Sequence, residues 1–290
     1  MRTALSLSLL ATAACAVAQS PDVVIRMDLL PTYRSESRHG SSFRFYDAMG
    51  RPSTAGLSLI LEPGFRLTVT ERLQPIEDDA DEDQIEEYYL EDEGVWRLGK
   101  QYLPFARNGL LRESVLAARA DTNLVLEGLP IALAACDGGA GRPRGVIGRL
   151  GTRIGVSLAV GQNFGVSSGS FTAVRRPEEG PGRGRGYGQL LGLDAWRRIG
   201  SFIFSAEWIA MLNPSSELDE DRNVADVVVT YELAKDRWYK VAWSRDSLQT
   251  PSFFRAEGSI PIQHGAWLQP IVKVRGSRVT DVAVTVRVKF

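Results

Sequence analysis

Residues 281–290 read Asp281-Val282-Ala283-Val284-Thr285-Val286-Arg287-Val288-Lys289-Phe290. Successive side chains of an extended strand point to opposite sides. Val282, Val284, Val286, Val288 and Phe290 therefore share one face. Asp281, Ala283, Thr285, Arg287 and Lys289 share the other. One face is wholly apolar and the other is polar and partly basic, as for a strand set between hydrocarbon and water.

The pattern repeats backward along the chain. In 266–275, Leu268, Pro270, Val272 and Val274 oppose Gln269, Lys273 and Arg275. In 254–262, Phe254, Ala256, Gly258, Ile260 and Ile262 oppose Arg255, Glu257 and Ser259. The same period of two runs through 237–246, 223–233, 201–211 and 153–162. Tight turns at 198–200, 234–236 and 263–265 alternate with longer polar connections at 165–186, 213–222 and 247–252. Short turns on one side and long loops on the other fit an all-β, transmembrane, antiparallel up-and-down β-barrel.

In the first half, 55–62 and 65–74 read as a hairpin across Pro63-Gly64, followed by an acidic loop at 77–87. A second hairpin joins 87–91 to 95–103, and 122–135 reads as one long strand bulged at Gly128 and Pro130. With Phe43–Ala48 as the first strand, the count is about 14, within a range of 12 to 16. On this reading the barrel occupies 42–290, and 19–41 is a periplasmic segment or an extra strand.

The first 18 residues have a secretory signal pattern: Arg2, an apolar run from Leu5 to Val17, and the Ala16-Val17-Ala18 cleavage site. Cleavage there leaves Cys136 as the sole cysteine, so no intramolecular disulfide is expected. Cys15 sits in a poor lipoprotein box. No apolar run of about 18 residues follows the signal pattern, which argues against a membrane-spanning helix but not against barrel strands. The 34 basic and 35 acidic residues nearly cancel, so bulk charge points to no nucleic-acid partner.

Residues 106–121 are the one cluster of helix formers, placed by the alternation on the long-loop side. Two readings stay open. Arg107, Arg112, Glu113 and Arg119 line a constriction, or the segment is a surface loop with one helical turn. The inward faces carry Arg255, Lys273, Arg275, Arg287 and Lys289, interleaved with Glu207, Asp226, Glu232 and Glu257. These charges either set ion preference or tie the wall together by salt bridges, with weak anion preference at most. His39 and His264 lie in polar turns. No metal, nucleophile or phosphate-loop motif is present, so no catalytic residue, metal or cofactor is expected. The glycine-rich stretch 180–188, with Arg183 and Arg185, reads as a loop.

The run Leu98-Gly99-Lys100-Gln101-Tyr102-Leu103-Pro104-Phe105, followed by Glu113-Ser114, resembles the G-K-x-x-x-P-F pattern of phosphate-selective and related porins. The terminal strand, ending on Phe290, also resembles the closing strand of bacterial outer-membrane barrels. In such proteins a long loop often folds into the barrel and narrows it. The resemblance implies a passive channel for small hydrophilic solutes or ions, with a lipid bilayer and the barrel assembly machinery as partners. It also implies a homo-oligomer, and Val282, Val284, Val286, Val288 and Phe290 as the assembly signal. The rival readings are a structural or adhesive barrel with a plugged lumen and, further off, an outer-membrane hydrolase.

Overall fold

The computed structural model describes residues 22–37, 40–62, 64–74, 84–107, 109–111, 114–122, 130–139, 142–164, 187–214, 221–247 and 249–290. These residues form eighteen β-segments. In chain order they are β1 (Asp22–Leu29), β2 (Thr32–Glu36), β3 (Gly40–Arg44), β4 (Thr54–Glu62), β5 (Phe65–Arg72) and β6 (Ile85–Asp92). Next come β7 (Trp96–Tyr102), β8 (Ser114–Thr122), β9 (Ile131–Asp137), β10 (Arg144–Leu150), β11 (Ile154–Phe164) and β12 (Tyr187–Ile199). The last six are β13 (Phe202–Pro214), β14 (Arg222–Ala234), β15 (Arg237–Asp246), β16 (Gln249–Gln263), β17 (Ala266–Arg275) and β18 (Arg278–Lys289). From β4 to β18 each strand pairs antiparallel with the next, and the single sheet closes on itself.

The closure explains the strand count. β18 pairs with β1 through Asp28↔Lys289 and with β2 through Thr32↔Thr285 to Glu36↔Asp281, in one continuous register. The break between them is Pro31, which lacks an N–H but whose carbonyl accepts from Val286 N. β1 and β2 are thus halves of one barrel strand. β3 pairs with β2 and β4 pairs with β1, but the second register is displaced by six residues from the first. Those residues belong to a hairpin at 45–53 that leaves the wall between β3 and β4. Counted this way, the eighteen segments make a barrel of sixteen strands.

The closed antiparallel barrel is as expected, but about 14 strands is two too few. Barrel pairing starts at Asp22, before residue 42, so that of the two readings of 19–41 the extra strand is the one that the pairing of 22–36 fits. Ser114–Thr122 is a strand, not part of a helix-prone loop, and β10 was missed. The single strand expected over 122–135 is the ends of β8 and β9, with 123–129 outside the described residues. Ala117, Ala118, Ala120, Ala132, Ala134 and Ala135 are intrinsic helix formers with little contrast between faces. Their strand state comes from cross-strand pairing. The connection expected over 247–252 is shorter than read, because β16 starts at Gln249.

The outer face carries the apolar set. Ile154, Val156, Leu158 and Val160 of β11 and Val282, Val284 and Val286 of β18 are exposed, as is Phe290. Aromatic rings gather at the short-turn end. Phe202 lies 6.2 Å from Phe204 and 4.9 Å from Tyr231, and Phe65 lies 5.7 Å from Trp96. An apolar band edged by aromatics is the surface that a barrel presents to lipid. No helix among the described residues is long and apolar enough to cross a membrane.

Candidate functional site in the barrel lumen

The inner wall has two unlike sectors, and a segment folds inward onto each. From β8 to β14 the inward residues include Ala117, Cys136, Ile147, Ala159, Leu190, Ile209, Met211 and Val224, all buried in one apolar cluster. The chain between β7 and β8 covers them. Leu103, Phe105, Leu110 and Leu111 of that loop belong to the same cluster and are fully buried. Full burial of such side chains contributes about 1.5–3 kcal/mol each. Gly192 leaves the space for Phe105, since a Cβ there would meet the ring at 2.6–2.8 Å.

Polar contacts set the height of the loop. Ala106 N donates to Ser157 Oγ at 2.9 Å. Leu110 N donates to the buried carboxylate of Glu207 at 3.3 Å. Gly99 precedes the loop with φ of 133°, and a Cβ there would lie 2.2 Å from Tyr88 O, which excludes any other residue without a shift of β6. Much of the 99–105 motif is thus a device that turns strand into inward loop. Arg107 is exposed at the loop surface, its guanidinium 5.2 Å from the Trp196 ring centroid on the inner wall.

The other sector is charged. Lys240 Nζ lies 2.5 Å from Glu257, Arg255 lies 3.6 Å from Glu257, Lys273 lies 3.5 Å from Asp281, and Arg34 lies 2.6 Å from Asp281. The 45–53 hairpin rests on this network. Its neck is the Tyr46↔Pro52 bridge and the Ser53 N to Phe45 O bond of 2.9 Å. Asp47 Oδ1 closes the tip by accepting from Met49 N at 2.8 Å and Arg51 N at 2.9 Å. The tip then docks. Lys273 Nζ donates to Ala48 O, Arg255 Nη1 donates to Met49 Sδ at 2.8 Å, and Ala48 and Met49 pack on Ile271 and Ala283. A polar cavity of about 220 Å³ opens beside the hairpin, lined among others by Asp28, Asp47, Arg51, Glu86 and Arg287.

The structure disperses the residues singled out from sequence. Arg107 lies on the inward loop. Arg119 is on the wall in β8, donating to Asp121 Oδ1 at 2.9 Å, and is not a loop residue. Arg112 and Glu113 lie outside the described residues. Arg255 and Lys273 are buried beneath the hairpin. Arg275 stacks 5.2 Å from the Phe253 ring centroid. Arg287 pairs with Asp28, and Lys289 lies 3.7 Å from the same carboxylate. His264 is exposed in a turn; His39, the signal pattern, the stretch 165–186 and most of the acidic loop lie outside the described residues. Sequence reasoning missed the hairpin and Glu207 as a loop anchor. The Asp47-Ala48-Met49-Gly50 turn was the available signal, read instead as the end of a strand. No metal-binding cluster occurs among the described residues.

The architecture matches solved outer-membrane proteins. The outer membrane channel DcaP of Acinetobacter baumannii aligns over 93% of this chain and 97% of its own, with a TM-score of 0.63 and 10% identity. OmpT with loop L8 deleted, an outer membrane protein of Vibrio cholerae, aligns over 94% and 100%, with a TM-score of 0.60 and 10% identity. The anion-selective porin from Comamonas acidovorans aligns over 93% and 99%, with a TM-score of 0.57 and 11% identity. The fold is porin-like. No family model and no curated protein matches the sequence.

Proposed function

We propose that this chain is an outer-membrane channel for passive diffusion of small hydrophilic solutes or ions. The observation that carries the reading is a closed sixteen-strand barrel, apolar outside and with one charged and one apolar sector within, each covered by an inward segment. Barrels of 16–18 strands leave an aqueous interior, whereas eight strands are filled by side chains. The likeness to a named channel and a named porin supports the same reading. Selection is by width and charge, with no reaction and no cofactor. The aqueous path runs past the exposed Arg107 on one side and Arg51 on the other.

Within this reading the wall charges act mainly as structure. Arg255, Lys273, Arg287 and Lys289 each face a carboxylate, which leaves weak anion preference at most. The strand 281–290, ending at Phe290, acts as the assembly signal, and residues 1–18 direct export. Purified protein should show heat-dependent gel mobility and steady single-channel conductance in planar bilayers. Heat-modifiable protein that never conducts would favour the plugged structural barrel. Strong cation preference in a salt gradient would remove the anion assignment.

A further inference from the structure

We infer that the outer face carries a binding site for an anionic phospholipid, at the short-turn end between β11 and β14; this rests on the membrane-channel reading. Ile154↔Ala195, Ala195↔Ala206 and Ala206↔Val227 form one continuous row across four strands. The two central residues are alanines and the flanking ones are branched. Strand parity points all four outward, opposite to Asp194 and Glu207, which are buried against the lumen. The result is a groove of about 490 Å³ with Phe204 at one edge. Its floor and walls suit an acyl chain.

Two arginines stand at the end of the groove. Arg153 closes the short turn before β11, and its carbonyl accepts from Trp196 N at 2.8 Å. Arg197, two residues past the Ala195 that faces the first residue of β11, projects outward beside Phe204. Both are exposed. Nearby inward arginines are paired: Arg149 with Asp194 at 2.8 Å and Arg198 with Glu232 at 2.5 Å. Among the described residues, neither Arg153 nor Arg197 has a carboxylate within 4.0 Å. A guanidinium on the lipid-facing side of a barrel must reach the headgroup level, where a phosphate is its bidentate partner. Two such cations above one chain-sized groove select a lipid with an anionic head.

The test titrates delipidated, detergent-solubilised protein with phosphatidylglycerol or phosphatidylcholine and reads bound lipid by native mass spectrometry. Phosphatidylglycerol is expected to be retained preferentially. R153Q should weaken it roughly fivefold and the double variant R153Q/R197Q about thirtyfold, in line with the attraction of single cations to anionic headgroups. A195L/A206L, which fills the groove and keeps both charges, should also reduce retention. Heat-modifiable mobility and conductance, measured on the same samples, are expected to stay at wild-type level, which separates failure of this site from failure of the channel reading. Equal retention by wild type and the double variant overturns the site. So does a second copy of the chain cross-linked across the Ala195–Ala206 row with no lipid bound.

Discussion

The loop residues 103–107 and 109–111 and the hairpin at 45–53 both leave the wall and enter the lumen, but unlike forces hold them. The loop is seated by apolar burial on a sector of small residues, with Ser157 and Glu207 setting its height. The hairpin is seated by cations, with Lys273 and Arg255 reaching its backbone and sulfur above a small apolar contact. Apolar seating is non-directional and tolerates a volume-conserving swap. Charged seating depends on every partner being present, because a buried charge left alone is costly. One wall therefore carries both a tolerant and an intolerant mount for its inward segments.

The strongest way to break the comparison is Leu110→Asp, which puts an unpaired carboxylate into the apolar mount. It should destabilise the docked loop by more than about 4 kcal/mol and raise single-channel conductance. Unchanged conductance would mean that the loop does not narrow the path. Lys273→Met tests the other mount: roughly 3 kcal/mol should be lost, limited because Arg34 still holds Asp281. Denaturant unfolding measures that loss, and a loss below that of a surface lysine would show the hairpin seated by its apolar tip alone. Gly192→Ala sharpens the loop side, since its Cβ overlaps Phe105. A cost of about 1–3 kcal/mol in the same unfolding experiment is expected. The smallest stability effect, within about 0.5 kcal/mol, belongs to Arg107→Glu, which is exposed. Its expected signature is a reversal potential moved toward cations, and no movement would remove Arg107 from the solute path.

Legibility followed the contrast between faces. β13 to β18 were readable because valines and aromatics alternate there with charged or small polar residues. β8 and β9 were not, because alanine on both faces carries no period-two signal and favours helix when isolated, and β10 was not, because in Arg144–Leu150 glycines, arginines and aliphatics do not alternate. The same smallness is what lets the loop approach the wall, so the least legible strands are those that seat a functional segment. Arg107 was identifiable as a loop cation. Arg119 falls in the same loop only where β8 has no visible alternation; the structure places it on the wall beside Asp121. Arg255 and Lys273 were recognised as inward-facing, but no pattern along the chain shows that a hairpin two hundred residues earlier lies over them.

By itself, the sequence determined which side of each well-patterned strand faces hydrocarbon, because that depends only on side-chain chemistry at a period of two. It also placed the tight turns at 198–200, 234–236 and 263–265. The tertiary structure alone decided the number of strands, the closure of β18 on β1 and β2, and the seating of the two inward segments. Each of these depends on register and on contacts between residues far apart in the chain. The six-residue offset between the β2–β3 and β1–β4 pairings shows this most directly. It becomes visible only once both partners are in place.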